Sequence, residues 1–189
     1  MMLLLEEAAR FQEFVVSNEW EFYFIGGLAV QIWGEPRLTR DIDLTIFTNL
    51  DNEPAFINTI VSKYRPKLVD APRFAMIERI LPVLTESGIT IDIALSGFSD
   101  LSESLPRASY QRFYQEIALK VCSPDDLIIL KTIAGRARDW GDLESVLIKQ
   151  RRLDWEYIER SILQLFENDE ELEQKYEKLC ALRAAHYRP

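Results

Sequence analysis

Apolar positions along this chain recur at two spacings, and the switches between them mark out the elements. From Leu3 to Ser17, "LLLEEAARFQEFVVS", they fall at helical intervals and predict a first helix. "EFYFI" (Glu21 to Ile25) is a short aromatic run stopped by Gly26 and Gly27 and reads as a strand. "LAVQIWG" then reads as a helix ended by Gly34, with Pro36 as a second stop. "TRDIDLTIF" (Thr39 to Phe47) is the next strand, and "NEPAFINTIVSKY" is an amphipathic helix with Pro54 near its start.

Beyond Pro66 the pattern predicts strands over "RFAMIERILPVLT" (Arg73 to Thr85) and "GITIDIALSG" (Gly88 to Gly97), joined at "ESG" as a hairpin. "FSDLSESLPRASYQ" reads as a loop and "QEIALKVCS" as a last short strand. From Ser123 onward the spacing is helical. Ser123 caps the first of these helices, with Pro124 in its first turn and Asp126 completing a variant capping box. The order α-β-α-β-α-β-β-β followed by a helical bundle predicts an α/β (α+β) fold: a mixed β-sheet core over residues 1–122 and a helical C-terminal lobe over residues 123–189. No internal repeat, low-complexity tract or linker interrupts it.

Within this frame one strand carries an unusual cost. In "DIDL", Ile42 and Leu44 face one side while Asp41 and Asp43 face the other. Two like charges about 4 Å apart cost roughly 4 kcal/mol at a near-surface effective dielectric. In "TIDIAL", Ile91, Ile93 and Leu95 form the apolar face and Asp92 is the lone charge opposite. If the two strands are neighbours, three carboxylates converge, and a hard divalent cation, Mg²⁺ or Mn²⁺, relieves the repulsion through oxygen ligation. Two such metals sharing a carboxylate can bind a triphosphate and stabilise a leaving pyrophosphate. The strand ending at Gly26 and Gly27 complements this, because a glycine turn into a helix presents backbone N–H groups to an anion.

Composition narrows the chemistry. The 189 residues, 48% hydrophobic and 28% charged, suit an ordinary globular protein. No segment reaches the roughly 18 apolar residues that a membrane span needs, and the acidic opening does not suit a signal peptide, so a cytoplasmic location is expected. Cys122 and Cys180 follow no metal-ligand spacing and read as buried thiols in a reducing compartment. With His186 the single histidine, histidine-based catalysis is excluded and the chemistry rests on carboxylates, Lys, Arg and backbone. A net charge of -9 disfavours non-specific nucleic-acid binding. A local basic set remains at Arg136, Arg138, Lys149, Arg151 and Arg152, with a solvated helix face as the other reading.

The pieces "FIGGLAVQIWG", "TRDIDL" and "IDIAL" together resemble the nucleotidyltransferase superfamily related to DNA polymerase beta. With "SPDDLIILKTIAGRARDWGDL" added, the chain is most similar to the AbiEii/AbiGii toxin-type nucleotidyltransferases, over about Phe22 to Leu147. The resemblance implies a nucleotidyltransferase-like sheet and transfer of NMP from an NTP to an acceptor hydroxyl on a protein, tRNA or small molecule. It also implies a place in a toxin–antitoxin or phage-defence system, with a cognate partner. Asp41 and Asp43 then match the metal ligands, and Asp92 matches the third carboxylate and general base. Gly26 and Gly27 match the phosphate-binding turn, and Arg37, Thr39 and Arg40 match the R-x-T stretch before the DxD that contacts nucleotide. Lys131 matches a lysine reaching the triphosphate, and Asp139 an acidic position of the same segment. Gly27 stands where many members of the wider superfamily have serine.

Blander readings stand beside these. Asp41, Asp43 and Asp92 suit the wet face of a half-exposed strand, and Lys131 suits the solvated face of a helix. Trp20, Trp33, Trp140 and Trp155 suit packing, and the last helical stretch, Asp154 to Tyr187, suits a capping pair of helices or a partner surface. A catalytically silent binding partner of the same fold is the alternative to the enzyme.

Overall fold

A computed structural model describes residues 1–48, 52–96, 103–165 and 169–188. The chain forms two compact units, one of residues 1–28 with 38–121 and one of residues 29–37 with 122–189. Among the described residues the first unit carries a seven-stranded sheet in the order β3-β4-β5-β2-β1-β7-β6. Its strands are β1 (Phe22–Phe24), β2 (Ile42–Phe47), β3 (Arg65–Pro66), β4 (Ile80–Leu84), β5 (Thr90–Ser96), β6 (Ser109–Tyr114) and β7 (Ile117–Val121). The pairs β2–β5 and β1–β7 are parallel and the others antiparallel.

Alternation along β2 and β5 buries Ile42, Leu44, Ile46, Ile91, Ile93 and Leu95 on one face of the sheet. The helices of this unit are α1 (Met2–Ser17), the start of α2 (Gly26–Trp33), α3 (Glu53–Lys63) and α4 (Ala71–Glu78). Helix α1 is fixed to the sheet by Gln12, which donates to Ala118 O at 2.9 Å and accepts from Lys120 N at 2.9 Å. Phe11, Phe14, Trp20, Phe56 and Tyr64 stack edge to face or tilted beneath it, with ring centroids 4.5–5.7 Å apart, the offset geometry aromatic quadrupoles favour. Arg79, in the left-handed region at φ 58°, donates to Leu95 O and is paired with buried Glu53, tying the end of α4 to β5 and the start of α3.

Two sequence expectations change here. "RFAMIERILPVLT" is not one strand: α4 occupies Ala71–Glu78 and β4 starts at Ile80. Pro72 suits the first helical turn, but the helix buries only Ala71 and Ala75 and leaves Phe74, Met76 and Ile77 exposed, which hides its periodicity. The loop expected up to Gln111 contains the start of β6, an edge strand that fully buries none of its residues and so shows no apolar alternation. Phe98 to Ser102 of that expectation, and residues 166–168 of the last helical stretch, lie outside the described residues.

The second unit is built from α5 (Pro124–Ala134), α6 (Ala137–Lys149), α7 (Trp155–Leu163), α8 (Glu170–His186) and the last turns of α2 with the segment to Arg37. Ser123 caps α5 as expected, accepting from Asp126 N at 3.0 Å. Lys149 donates to Ile32 O and Gly34 O at 3.1 and 2.9 Å, satisfying the orphan carbonyls at the end of α2. Trp33 Nε1 donates to Cys122 O at 2.8 Å and Gln150 Nε2 to Trp33 O at 2.7 Å. Of the two thiols, Cys122 is buried and Cys180 is exposed, so the expectation of two buried cysteines holds for one. Burial, with nearby Asp126, pushes the Cys122 thiol well above the ordinary thiol range. No helix among the described residues is long and apolar enough to cross a membrane.

A charge network sits inside this unit. Buried Lys131 donates to Asp139 Oδ1 at 2.8 Å and Asp142 Oδ2 at 2.6 Å. Arg37 grips Asp142 in a fork, Nε to Oδ1 at 2.6 Å and Nη2 to Oδ2 at 2.7 Å, and Arg136 holds Asp139 through Nε at 2.9 Å. Burial alone would raise both carboxyls, but the hydrogen bonds and charges of Arg37 and Lys131 on Asp142, and of Lys131 and Arg136 on Asp139, hold both below the usual range. Depressed folded-state values mean that the stability from these pairs is present above the unfolded-state value, about 3.9, and is lost as pH falls below it. Asp142→Asn is therefore expected to cost about 3–5 kcal/mol at pH 7, because it leaves Lys131 and Arg37 short of a buried partner. It should also flatten the acid limb of the thermal-unfolding midpoint against pH. A midpoint equal to the native one at neutral pH would show that the network contributes nothing.

Candidate active site

In the sheet unit, parallel pairing of β2 with β5 sets Asp43 directly opposite Asp92. Both side chains are half-buried while their strand neighbours on either side are buried. Adjacent strands lie about 4.8 Å apart, and two carboxylates at roughly 5 Å repel by about 3 kcal/mol at an effective dielectric near 20. Asp41 lies one residue before β2 and is exposed. Among the described residues no three His, Cys, Asp or Glu side chains are gathered as a metal-holding group. The fold thus supplies a carboxylate pair, and Asp41 is not gathered with it. The donor chemistry of the pair, anionic oxygen on rigid strands, is that of a hard divalent cation site.

The glycine turn is built against this pair. Gly26 opens α2 at φ +55°, and a Cβ placed on it would overlap the Asp43 carboxylate, lying 2.6 Å from Cγ and 2.8 Å from Cβ. Ile25 N donates to Asp43 O at 2.9 Å, which fixes the turn beside the strand. Gly27 is equally confined: a Cβ there would overlap the Thr39 side chain, 2.6 Å from its Cβ. Thr39 is half-buried and donates from Oγ1 to Asp41 O at 3.2 Å. Arg40 is exposed.

Gly26, Gly27, Thr39, Asp43 and Asp92 thus come together in the sheet unit, whereas Arg37, Lys131 and Asp139 belong to the charge network of the helical unit. Asp142, which joins Arg37 to Lys131, is the member that the sequence reading passed over. Its signal was present: Asp139 and Asp142 are three apart and share a face of α6.

Gly26 gives a direct test of the contact with Asp43. Gly26→Ala and Gly88→Ala both place alanine at positive φ, but nothing lies within 4 Å of a Cβ at Gly88. Each should lose about 1–2 kcal/mol from the backbone, and Gly26→Ala should lose more because the Asp43 carboxylate must move. The excess should shrink in Gly26→Ala/Asp43→Ala. Equal unfolding midpoints for the two single variants would refute the contact.

The chain is 13% identical to an antigenic nucleotidyltransferase-like protein from Paracoccidioides brasiliensis, over 98% of this chain and 94% of that one, with a TM-score of 0.52. A CCA-adding enzyme from Thermotoga maritima, solved with tRNA, matches at 15% identity over 92% of this chain and 46% of that one, with a TM-score of 0.44. The antibiotic-resistance factor ANT(2'')-Ia matches at 14% identity over 96% and 88%, with a TM-score of 0.43. Among curated proteins there is no match. The family described as "Nucleotidyl transferase AbiEii toxin, Type IV TA system" matches residues 15–186. With nearly the whole chain matched, and the glycine turn and DxD strand in place, the chain belongs to the AbiEii nucleotidyl transferase toxin family.

Proposed function

We propose that the chain transfers a nucleoside monophosphate from an NTP to an acceptor hydroxyl, with Asp43 and Asp92 holding Mg²⁺ or Mn²⁺ and Asp41, exposed one residue before β2, joining them only when the cation binds. One observation carries the reading: two carboxylates share a rung of β2 and β5, and one of them lies against the glycine turn that opens α2. Anionic oxygen donors on two rigid neighbouring strands are the ligand type that a hard divalent cation takes.

When bound, the divalent cation would neutralise the charge of the triphosphate and of the departing pyrophosphate. The chain's own groups do the rest. The N–H groups of Gly26 and Gly27 at the start of α2 receive phosphate oxygens, and Arg40 adds a positive charge beside the DxD. Asp92 takes the proton of the acceptor hydroxyl as its oxygen attacks the α-phosphorus in line. The new O–P bond forms as the bond to the bridging oxygen breaks, and pyrophosphate leaves. Positioning and electrostatics supply the catalysis, with no side-chain nucleophile. Arg37 and Lys131, expected from the sequence to reach the phosphates, are instead engaged with Asp142 and Asp139 within the helical unit and carry no step of this proposal. The family's description supports a role as the toxin of a toxin–antitoxin pair, with a cognate partner.

The test is incubation of the protein with each of the four α-³²P-labelled NTPs, Mg²⁺ or Mn²⁺ and a cell lysate, against Asp41→Asn/Asp43→Asn. Label is expected only with the native protein, reduced by at least about a hundredfold in the variant, in line with loss of a main electrostatic group. RNase or protease sensitivity of the product assigns the acceptor to RNA or protein, and a labelled species resistant to both assigns it to a small molecule. A parallel thermal-shift titration with Mn²⁺ alone should stabilise the native protein and not Asp43→Asn. Neither label, nor NTP binding, nor metal-dependent stabilisation would leave the non-catalytic partner as the reading.

A further inference from the structure

A cavity of about 920 Å³ in the sheet unit is lined by α1, the α3–β3 junction and the β4–β5 turn. Its volume is that of a small-molecule site, roughly 300–1,000 Å³, and none of Gly26, Asp43 or Asp92 lines it. Glu7, Arg10, Phe14 and Ser17, three or four residues apart, form one stripe of α1 along it. Glu7 is the charge on its inner wall. The residue is 6% exposed, yet only one carboxylate oxygen is engaged: Oε1 accepts from Ser87 Oγ at 2.8 Å and from exposed Arg10 at a long 3.3 Å. Oε2 takes no hydrogen bond among the described residues and is not sealed off, so its open lone pairs belong to the cavity wall. Half-buried Tyr64 lines the same space, and its hydroxyl likewise makes no hydrogen bond among the described residues. Burial, and then the charges of Glu7 and Glu86, push its phenol up to about 12, so it stays a neutral donor and acceptor there. The other charges of the lining are exposed, the cations Arg10, Lys63 and Arg65 against the carboxylates Glu13 and Glu86. One anion thus stands inside, and the rim carries one cation in excess.

We propose that this cavity binds a small zwitterion of the amino-acid type, its ammonium on Glu7 Oε2 and the Tyr64 hydroxyl and its carboxylate at the basic rim of Lys63 and Arg65. An ammonium has three N–H donors to share between a carboxylate oxygen and a phenol, and its bond to the carboxylate is of the charge-assisted kind, about twice as strong as a neutral one. A ligand with cationic charge alone would meet the positive excess of the rim, and one with anionic charge alone would meet Glu7; a zwitterion satisfies both ends. The rim is prepared for the anionic end. Lys63 Nζ is held over the Phe14 ring, 4.8 Å from its centroid, and Arg65 has no ion-pair partner among the described residues. The inference does not depend on nucleotidyl transfer, since no residue of the glycine turn or of the carboxylate rung takes part.

The test is calorimetric titration of the full chain with each of the twenty L-amino acids, with methylamine, acetate and spermidine as single-sign probes. At least one amino acid should bind with a Kd below about 1 mM, and more tightly than any of the three single-sign probes. Glu7→Gln, which keeps the shape and removes the charge, should weaken that binding by about 10- to 100-fold. Because Glu7→Gln also disturbs the bonds to Ser87 and Arg10, two variants at less buried positions accompany it. Arg65→Ala and Tyr64→Phe should each weaken binding about three- to tenfold with an unfolding midpoint close to the native one. Asp43→Asn should bind the amino acid as the native protein does, which separates this cavity from the carboxylate rung. No amino acid bound at about 10 mM would mean that the cavity holds water only, and would overturn the proposal. Tighter binding of spermidine or methylamine would overturn the zwitterion, and affinity unchanged in both Glu7→Gln and Arg65→Ala would overturn the site. None of these outcomes touches the labelling test of nucleotidyl transfer.

Discussion

The structure of the sheet unit depends on holding Asp43 and Asp92 on one rung. Like charges separated by one strand spacing push apart, and only a strand pair that cannot slip or splay keeps them opposed. The grip comes from the other face, where Ile42, Leu44 and Ile46 lie opposite Ile91, Ile93 and Leu95 and are all buried. A one-residue slip would turn both sets of apolar side chains out of the core, so burial fixes the register and the register fixes the carboxylates. The glycine turn follows from the same constraint. Because the Asp43 carboxylate fills the space above Gly26, a side chain there would have to displace it, and glycine is the residue that fits the turn.

The helical unit treats charge in the opposite way. Asp139 and Asp142 are each shared by two cations, and Lys131 lies buried between them. There the protein neutralises its own carboxylates, which holds them ionised and makes them structural. On β2 and β5 the two carboxylates face each other across one rung. The carboxylates of the helical unit are thereby fixed as structural groups, whereas the rung of β2 and β5 sets two acidic oxygen donors side by side.

Thr39 joins these ideas at the level of single atoms. The stretch before the DxD is not merely a connector, since its hydroxyl sits where a side chain on α2 would otherwise be. Position 27 accordingly has no room for a side chain while Thr39 rests against it.

The amino-acid sequence by itself determined the alternation of Ile42 to Leu44 and Ile91 to Leu95, the cap at Ser123, the punctuation at Gly26, Gly34 and Pro36, and through these the family. These are local properties, written in the period of side chains two or four residues apart. What only tertiary structure decided was non-local. β6 is a strand because β7 pairs with it, not because its own pattern alternates, and α4 is a helix whose buried residues are two alanines, too small to show a period. Whether Lys131 faced solvent or a buried pair of acids depended on α6 folding back beside α5. Whether residue 27 could bear a side chain depended on where Thr39, distant along the chain, came to rest. Sequence records each residue's preferences, but the occupation of a given volume belongs to all the residues that compete for it.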